Sequence, residues 1–145
     1  MILGIDTDVL VNWVMEGTAH HQAARRLLAR EVEQNRRWGV TPQVLYEFIH
    51  ICTDPRRFEN PLSMEQAISW SRAIWDDKDV VRLQPSATVL HRVLELMKSS
   101  RLGRKRILDT ALAATLEAAG VKKVATLNAK DFDVFPFLET VVPEL

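Results

Sequence analysis

The sequence predicts an α/β fold with a mainly parallel central sheet of four to five strands. Three observations predict this fold. Short, continuous apolar segments recur along the chain, as expected of strands buried on both faces. Longer segments with apolar residues at helical spacing separate them. Capping residues, Pro and Gly stand where several of these helices should begin or end.

The first half of the chain shows this alternation clearly. The apolar segment Ile2–Ile5 is the first predicted strand, and a helix should begin at Asp6-Thr7-Asp8. Thr41 is a favoured N-cap and Pro42 a favoured first helical residue, so a helix should start there. The other predicted elements are a helix over residues 18–33, a strand over residues 37–40, and the end of the Pro42 helix at Asp54-Pro55.

The second half continues in the same way. Its predicted elements are a helix capped by Ser63 that runs to Trp75, a strand over Val80–Leu83, a helix capped by Ser86 that runs to about Ser99, an Ala-rich helix over Ile107–Ala119 ended by Gly120, a strand over Val121–Leu127 and a final strand over Thr140–Val142. We also expect that Trp70, Ile74 and Trp75 could form an apolar surface for a partner.

Length and composition describe an ordinary globular protein. The chain has 145 residues, 47% of them hydrophobic and 26% charged, with 19 basic and 19 acidic side chains. We expect residues 1–145 to form a single domain. The lone Cys52 excludes an intramolecular disulfide and a Cys-rich zinc site. No apolar run is long enough to span a membrane, and no basic segment precedes the apolar N-terminus, so we expect a cytoplasmic protein.

The neutral total hides a segregation of charge. Residues 25–37 carry five Arg and two Glu, and residues 98–106 carry five basic side chains and no acid. Residues 131–145 carry four acids and no base. Such segregation permits an anionic partner, although solvated helix faces and loops would give the same pattern.

Polar side chains follow two of the predicted strands. Asp6 and Asp8 come directly after the first strand, and Thr126, Asn128 and Asp131 come at the end of the fourth. In an open parallel sheet, ligands bind beyond the carboxyl ends of the strands, so we expect these two groups to converge. The alternative is purely structural: an Asp at this junction is often a helix cap, for which Asp8 is the better candidate, and Asn128 and Asp131 suit a turn.

Two further acids lie on predicted helices. Glu47 lies in the helix that begins at Pro42, on a mixed polar and apolar stripe, and a surface Glu is the simple alternative. Asp109 lies in a helix that is apolar almost all round, with Leu112, Ala113 and Leu116 on its side. A carboxylate there is costly unless it is paired or metal-bound, so Asp109 indicates a site, a helix cap or a buried pair with Arg104 or Arg106.

The chemistry of these acids depends on whether they meet. If Asp6, Glu47, Asp109 and Asp131 share one pocket, their like charges repel and all four cannot stay ionised. Hard divalent cations would remove that conflict, and oxygen-only ligands indicate Mg²⁺ or Mn²⁺ rather than Zn²⁺. One or two such ions can activate water and stabilise phosphodiester displacement. The combination therefore predicts a nuclease.

Four segments carry a resemblance to a known family. They are Ile5-Asp-Thr-Asp-Val-Leu10, Pro42 through Glu47-Phe48, Leu108-Asp109-Thr-Ala-Leu-Ala-Ala114 and Ala125-Thr-Leu-Asn-Ala-Lys-Asp-Phe132. Their order and separation resemble the PIN-domain family, specifically the VapC-like toxins of bacterial and archaeal toxin–antitoxin operons. The resemblance spans nearly the whole chain. One departure is Asp8, where the family often has Asn; an extra carboxylate would either strengthen metal binding or cap the helix.

The resemblance implies a three-layer α/β/α sandwich and metal-dependent cleavage of single-stranded RNA. It implies that Asp6, Glu47, Asp109 and Asp131 bind the metal and are catalytic, and that Thr126 and Asn128 support them, with Thr7 orienting Asp6. It also implies a homodimer and an antitoxin protein that blocks the site. The RNA backbone could be held by basic residues near the acids, namely Arg56, Arg57, Arg101, Arg104, Lys105 and Arg106.

Two other functions are compatible with parts of the sequence. The same fold could bind RNA or a protein without catalysis, which the complete set of acids makes less favourable. Asp6-Thr7-Asp8 also resembles the start of the haloacid-dehalogenase phosphatases, but Leu10 stands where that family would have Thr.

Overall fold

A computed structural model describes residues 1–145, and it contains five strands and seven α-helices. The strands are β1 (Ile2–Ile5), β2 (Arg37–Val40), β3 (Val80–Arg82), β4 (Lys123–Ala125) and β5 (Glu139–Val141). The helices are α1 (Thr7–Val14), α2 (His21–Glu33), α3 (Pro42–Cys52), α4 (Met64–Asp76), α5 (Ala87–Ser99), α6 (Ile107–Ala118) and α7 (Ala129–Phe132), with a 3₁₀ turn at Arg104–Arg106. No helix is both long and apolar enough to cross a lipid bilayer.

The predicted helix ends are confirmed where a cap marks them. The Thr41 hydroxyl accepts a hydrogen bond from the Val44 amide, and Ser63 forms a reciprocal capping box with Gln66. Gly120, with φ +73°, follows α6 in the left-handed conformation that glycine adopts without strain. Ser86 lies at the cap position of α5, but its hydroxyl bonds Thr88 instead of a backbone amide.

Other predicted boundaries are wrong, for identifiable reasons. The helix predicted from Thr18 begins only at His21, because the Thr18 amide and hydroxyl both bond the Met15 carbonyl in a turn. The fourth strand is shorter than predicted, since the Leu127 and Asn128 amides bond side chains rather than a neighbouring strand. The 3₁₀ turn and α7 were not predicted, because elements of three or four residues show no periodicity.

All strands of the sheet are parallel, in the order β3-β2-β1-β4-β5. The chain therefore winds outward from β1 through β2 to β3, then returns across the sheet to β4 and continues to β5. Because crossovers between parallel strands are right-handed, α1 to α4 cover one face and α5 to α7 cover the other. The contacts agree, since α1, α2, α3 and α4 pack among themselves and α6 packs on α5 and α7. The predicted three-layer α/β/α architecture is confirmed.

The winding of the chain reverses at one place in the sheet, and in open parallel sheets such a reversal leaves a crevice. It lies between β1 and β4, the two adjacent strands from which the chain moves in opposite directions. Helices diverge on either side of such a point, so a ligand can approach the carboxyl ends of both strands. The crevice is therefore the place at which the polar residues after β1 and β4 are expected to meet.

One hydrophobic core of 31 buried residues holds the layers together, from Leu3 to Phe135. Trp13 packs edge-on against both Trp38 and Trp70, with ring centroids 5.3 and 5.6 Å apart. Ile74 is buried in the same core. Of the three residues expected to form an apolar surface, Ile74 is buried and so cannot contribute, whereas Trp70, beside the Trp13 ring, and Trp75 are half-buried.

Gly4 lies in the central strand where a helix approaches most closely. A Cβ atom added there would lie 2.7 Å from both terminal carbons of Leu116 in α6. Leu116 is fully buried, so it has little room to move away. Contact between β1 and α6 thus depends on the missing side chain at Gly4.

We expect Gly4→Ala to lower the free energy of unfolding by about 1–3 kcal/mol, because it overpacks this contact. Gly103→Ala is the matched control, since a Cβ at Gly103 would meet nothing within 4 Å and its φ is negative. The control should change stability by less than about 1 kcal/mol. Urea unfolding of the two variants checks the difference, and equal stabilities would contradict the proposed contact.

Candidate active site

Asp6 joins the first strand to the first helix and faces the crevice. Its backbone amide donates to the Ala125 carbonyl of β4 at 2.9 Å. Its Oδ1 caps α1 by accepting from the Thr7 amide at 2.8 Å, and its Oδ2 accepts from the Thr126 hydroxyl at 2.9 Å. Asp6 and Thr126 are 120 residues apart in the chain, so the predicted convergence of the two strand ends is confirmed.

Asp8 connects the same two strand ends by a different contact. The sequence favoured Asp8 over Asp6 as the helix cap, but the cap of α1 is Asp6. The Asp8 carboxylate instead accepts from the Leu127 amide at 3.2 Å and from Nδ2 of Asn128 at 2.9 Å. Asp8 therefore ties the start of α1 to the loop that follows β4.

Glu47 reaches the crevice from α3. Its Oε2 accepts a hydrogen bond of 2.7 Å from the hydroxyl of Thr7, which is buried. The resemblance implied that Thr7 orients Asp6. The Thr7 backbone amide does contact Asp6, but the hydroxyl orients Glu47. Glu47 is thus tied into the site and is not a free surface side chain.

Asp109 enters from the first turn of α6, half-buried. Its Oδ2 lies 3.7 Å from Nε of Arg106, which precedes α6 in the 3₁₀ turn. The expected pairing with an Arg is confirmed for Arg106. Gln43 in α3 donates to the Leu108 carbonyl at 3.4 Å and so joins the helices that carry Glu47 and Asp109. Sequence reasoning missed Gln43, although it lies one helical turn before Glu47 and could have been found by that spacing.

Asp131 completes the acidic group from α7. Its amide donates to the Asn128 carbonyl at 2.9 Å, and its own carbonyl accepts from the Arg106 guanidinium. The Asn128 amide in turn donates to the Thr126 hydroxyl at 3.0 Å. The loop after β4 therefore holds Thr126, Asn128 and Asp131 as one bonded unit beside Asp6 and Asp8.

The electrostatics show that these acids share one environment. The pKa of Asp6 is raised to about 7 by burial, then by the charges of Asp8 and Glu47, while hydrogen bonds from Thr126 and Thr7 oppose the rise. Burial and the charge of Asp109 raise the pKa of Asp8 to about 6. Like-charged carboxylates that influence one another in this way lie near one another.

The pKa of Asp109 is affected by three other acids of the site. Its pKa is raised to about 6 by burial, and then by the charges of Asp6, Asp131 and Glu47. Only Arg106 counters this rise by its charge. Three acids, one directly after β1, one in α3 and one in α7, thus act on the carboxyl group of Asp109 in α6, although they are spread over nearly the whole sequence.

The predicted basic residues fall into three groups. Arg101, Arg104 and Lys105 are exposed around the turn that leads into α6. Arg106 points inward to Asp109. The other two, Arg56 and Arg57, pair with Asp54, and Arg57 lines a hollow with Trp70 that contains none of the site acids.

The donor set fits a hard divalent cation only if water completes its coordination. All candidate ligands are oxygen atoms, which suits Mg²⁺ or Mn²⁺. As the side chains stand, no three His, Cys, Asp or Glu residues are grouped closely enough to hold a metal together. Mg²⁺ ordinarily binds through one or two carboxylates and keeps several waters. The site therefore fits a hydrated ion held by few direct protein ligands.

We expect Asp6→Asn to stabilise the metal-free protein above neutral pH. A carboxyl with a raised pKa stabilises the fold fully below the unfolded value of 3.8, and that stabilisation is lost as pH rises through about 7. Asn keeps the cap of α1 without the charge. The variant should gain about 1.4 kcal/mol or more over wild type between pH 4 and pH 8, the equivalent of one pKa unit.

The measurement is thermal or urea unfolding in EDTA at several pH values. Asp133→Asn is the control, because Asp133 is exposed just beyond α7. Its difference from wild type should change with pH much less than that of Asp6→Asn, because Asp133 is exposed. A difference for Asp6→Asn that is equally flat would show that Asp6 is not in a desolvated acidic pocket.

Known proteins share this sequence pattern and this three-layer α/β/α fold. Ribonuclease VapC24 of Mycobacterium tuberculosis (strain ATCC 25618 / H37Rv) is 29% identical over 136 residues, which cover 94% of this chain and 92% of the relative. The crystal structure of Mycobacterium tuberculosis VapC20, a Sarcin-Ricin loop cleaving toxin, superposes with a TM-score of 0.66 at 20% identity, covering 86% of this chain and 87% of that one.

A second similar structure is VapBC-1 from nontypeable Haemophilus influenzae. Its TM-score is 0.67 at 18% identity, and the match covers 98% of both chains. The family model described as PIN domain matches residues 4–138, which include every acid of the site. On the combined evidence of this match and the five-stranded parallel fold, the chain belongs to the PIN domain family.

Proposed function

We propose that this protein is an endoribonuclease that cleaves single-stranded RNA with the help of one or two Mg²⁺ or Mn²⁺ ions. The observation that carries the proposal is that hydrogen bonds hold Asp6 to Thr126 and Glu47 to Thr7, beside the loop that bears Asp131. The raised pKa of Asp109, to which the charges of Asp6, Glu47 and Asp131 contribute, agrees with this placement. Four acids from separate elements converge on a crevice, and their repulsion is relieved most simply by a cation. The family membership and the ribonuclease named among the relatives support the same activity.

The four acids are held in place in different ways. Asp6 and Glu47 are held by hydroxyl groups, from Thr126 and Thr7 respectively, so their remaining lone pairs point to a fixed place. Asp109 and Asp131 approach from the α6 side of the crevice. A bound Mg²⁺ would supply a Lewis acid for the phosphate oxygens and a water of lowered pKa. The four acids would orient that chemistry, and the two hydroxyl donors hold the carboxylates of Asp6 and Glu47 in place.

We further propose that the exposed turn before α6 contacts the RNA backbone. Arg101, Arg104 and Lys105 lie on the segment that leads directly to Asp109. Such side chains contribute sequence-independent affinity for phosphates. Arg56 and Arg57 pair with Asp54 and with no acid of the site, so we assign them no contact beside the acids.

The proposed biological role is the toxin of a toxin–antitoxin pair, with an antitoxin protein as partner. Solved structures similar to this chain include a toxin–antitoxin complex from Klebsiella pneumoniae and the VapBC-1 structure from Haemophilus influenzae. We also propose that residues 1–145 act as a single domain, since one core joins elements from β1 to the residues after α7.

We propose a homodimer that uses an apolar groove beside the site. The groove has a volume of about 740 Å³ between α3, α5 and α6. Five large apolar side chains that line it are between 47% and 67% exposed, namely Tyr46, Leu90, Leu94, Ile107 and Leu108. Clusters of this kind are unusual on monomers. Tyr46 and Leu108 are next to Glu47 and Asp109 in the chain, so a second copy there would border the acidic crevice.

We expect the purified protein to cleave single-stranded RNA in the presence of Mg²⁺ or Mn²⁺, and EDTA to abolish cleavage. Asp6→Asn and Asp109→Asn should each lower the cleavage rate at least about a hundredfold, because even indirect contacts to a metal site change activity 10- to 100-fold. Asp133→Asn, the exposed acid beyond α7, should cleave as wild type does. Gel analysis of end-labelled RNA measures all three rates.

Two results would contradict the proposal. Cleavage that persists in Asp6→Asn or Asp109→Asn would place the activity elsewhere. Specific RNA binding with no product for any RNA or metal would instead favour a binding module with the same fold.

We expect sedimentation analysis to give about twice the chain mass of 16.6 kDa. Leu90→Glu with Leu94→Glu should shift the protein to the monomer, because charges replace apolar contacts across the groove. Ile68→Glu is the control, since Ile68 is exposed on α4 outside the groove. A wild-type monomer at high concentration, or dissociation by the control alone, would rule out this interface.

A further inference from the structure

Arg106 is the one cation placed among the acids of the site. Of all the ion pairs in the protein, only Arg106–Asp109 includes an acid of the crevice. The side chain leaves the 3₁₀ turn and reaches across to α7, where it donates to the Asp131 carbonyl. One guanidinium thus bridges the segments that supply two of the four acids.

The contact of Arg106 with Asp109 is electrostatic and not a hydrogen bond. Nε of Arg106 is buried without a hydrogen-bond partner, and it lies 3.7 Å from Oδ2 of Asp109. A charge-assisted N–H···O bond is about 2.7–2.9 Å long. The guanidinium therefore neutralises the carboxylate without being locked to it, and a buried N–H donor is left without compensation.

The backbone, in contrast, holds the base of this side chain firmly. The Arg106 amide donates to the Gly103 carbonyl at 3.0 Å, and the Arg106 carbonyl accepts from the Thr110 hydroxyl at 2.6 Å. Arg104 and Lys105 in the same turn are exposed, whereas Arg106 is half-buried. The turn thus selects one of three successive basic residues and presents it to the acids.

We infer that Arg106 is a built-in counter-cation, which holds the acidic crevice together in the metal-free protein and gives up Asp109 when a divalent cation binds. The inference rests on the proposed metal site. A cation between the acids and a guanidinium beside Asp109 compete for the same negative charge, so each weakens the binding of the other. Arg106 is a positioning residue in this scheme, since it acts through Asp109.

Two other roles of Arg106 predict different behaviour. If it only clamps the turn to α7, its loss would destabilise the protein equally with and without metal and leave metal affinity unchanged. If it only contacts RNA, its loss would change neither stability nor metal affinity. Only a counter-cation links the loss of stability without metal to a gain in metal affinity.

The experiment compares the wild-type protein with Arg106→Gln and Arg106→Lys, and uses Arg104→Gln as the control from the same turn. Calorimetric titration with Mg²⁺ or Mn²⁺ alone measures the affinity, and thermal unfolding in EDTA and in saturating metal measures stability. We expect Arg106→Gln to bind the ion at least about fivefold more tightly, in the usual range of such coupling. It should also unfold at a lower temperature in EDTA, and metal should raise its Tm more than that of wild type.

Arg106→Lys keeps the positive charge, so its affinity and stability should lie nearer to wild type. Arg104→Gln should match wild type in both measurements. Unchanged or weaker metal binding by a folded Arg106→Gln protein, with binding intact in wild type, would overturn the inference but not the proposed function. Absence of metal binding in both proteins would overturn both. Binding by Arg106→Gln alone would support the inference strongly.

Discussion

The central constraint on this protein is that several carboxylates lie near one another at the point where the winding of the sheet reverses. Between β1 and β4 the chain brings two strand ends together, and the helices on the two faces add their own acids. Repulsion and burial both oppose this arrangement, as the raised pKa values of Asp6, Asp8 and Asp109 show. The fold tolerates it because hydroxyl, amide and backbone donors are already bonded to the acids before any ligand arrives.

Those donors explain why small polar residues matter as much as the acids. Thr7 and Thr126 are buried, and the hydroxyl of each donates a hydrogen bond to a carboxylate. The Asn128 side-chain amide likewise donates to the Asp8 carboxylate and so holds the loop after β4. The result is a preformed site whose geometry comes from the sheet and whose charge is left partly unbalanced, an arrangement that suits metal-assisted chemistry.

The meeting of the two strand ends could be predicted from the sequence, because parallel strands have their carboxyl ends at one edge of the sheet. The proximity of Asp6 and Thr126 follows from that rule. Asp109 was recognisable because it stood on an apolar helix. The partners of individual atoms were not predictable. Asp6 and not Asp8 caps α1 because the helix begins at Thr7, and two acids so close together in the sequence do not specify that first residue. Likewise, the Thr7 hydroxyl turns to Glu47 because α3 passes beside it, and that proximity is tertiary. Short elements such as α7 carry no periodic signal at all.

The wide separation of the site residues along the chain has a consequence for biosynthesis. Asp6 emerges from the ribosome before its hydroxyl partner Thr126, which follows 120 residues later. A nascent chain therefore lacks a complete reaction centre while it is still beside the RNA of the machine that makes it. For a protein with the activity proposed above, this order of emergence delays any cutting until the segment after β4 has also been made.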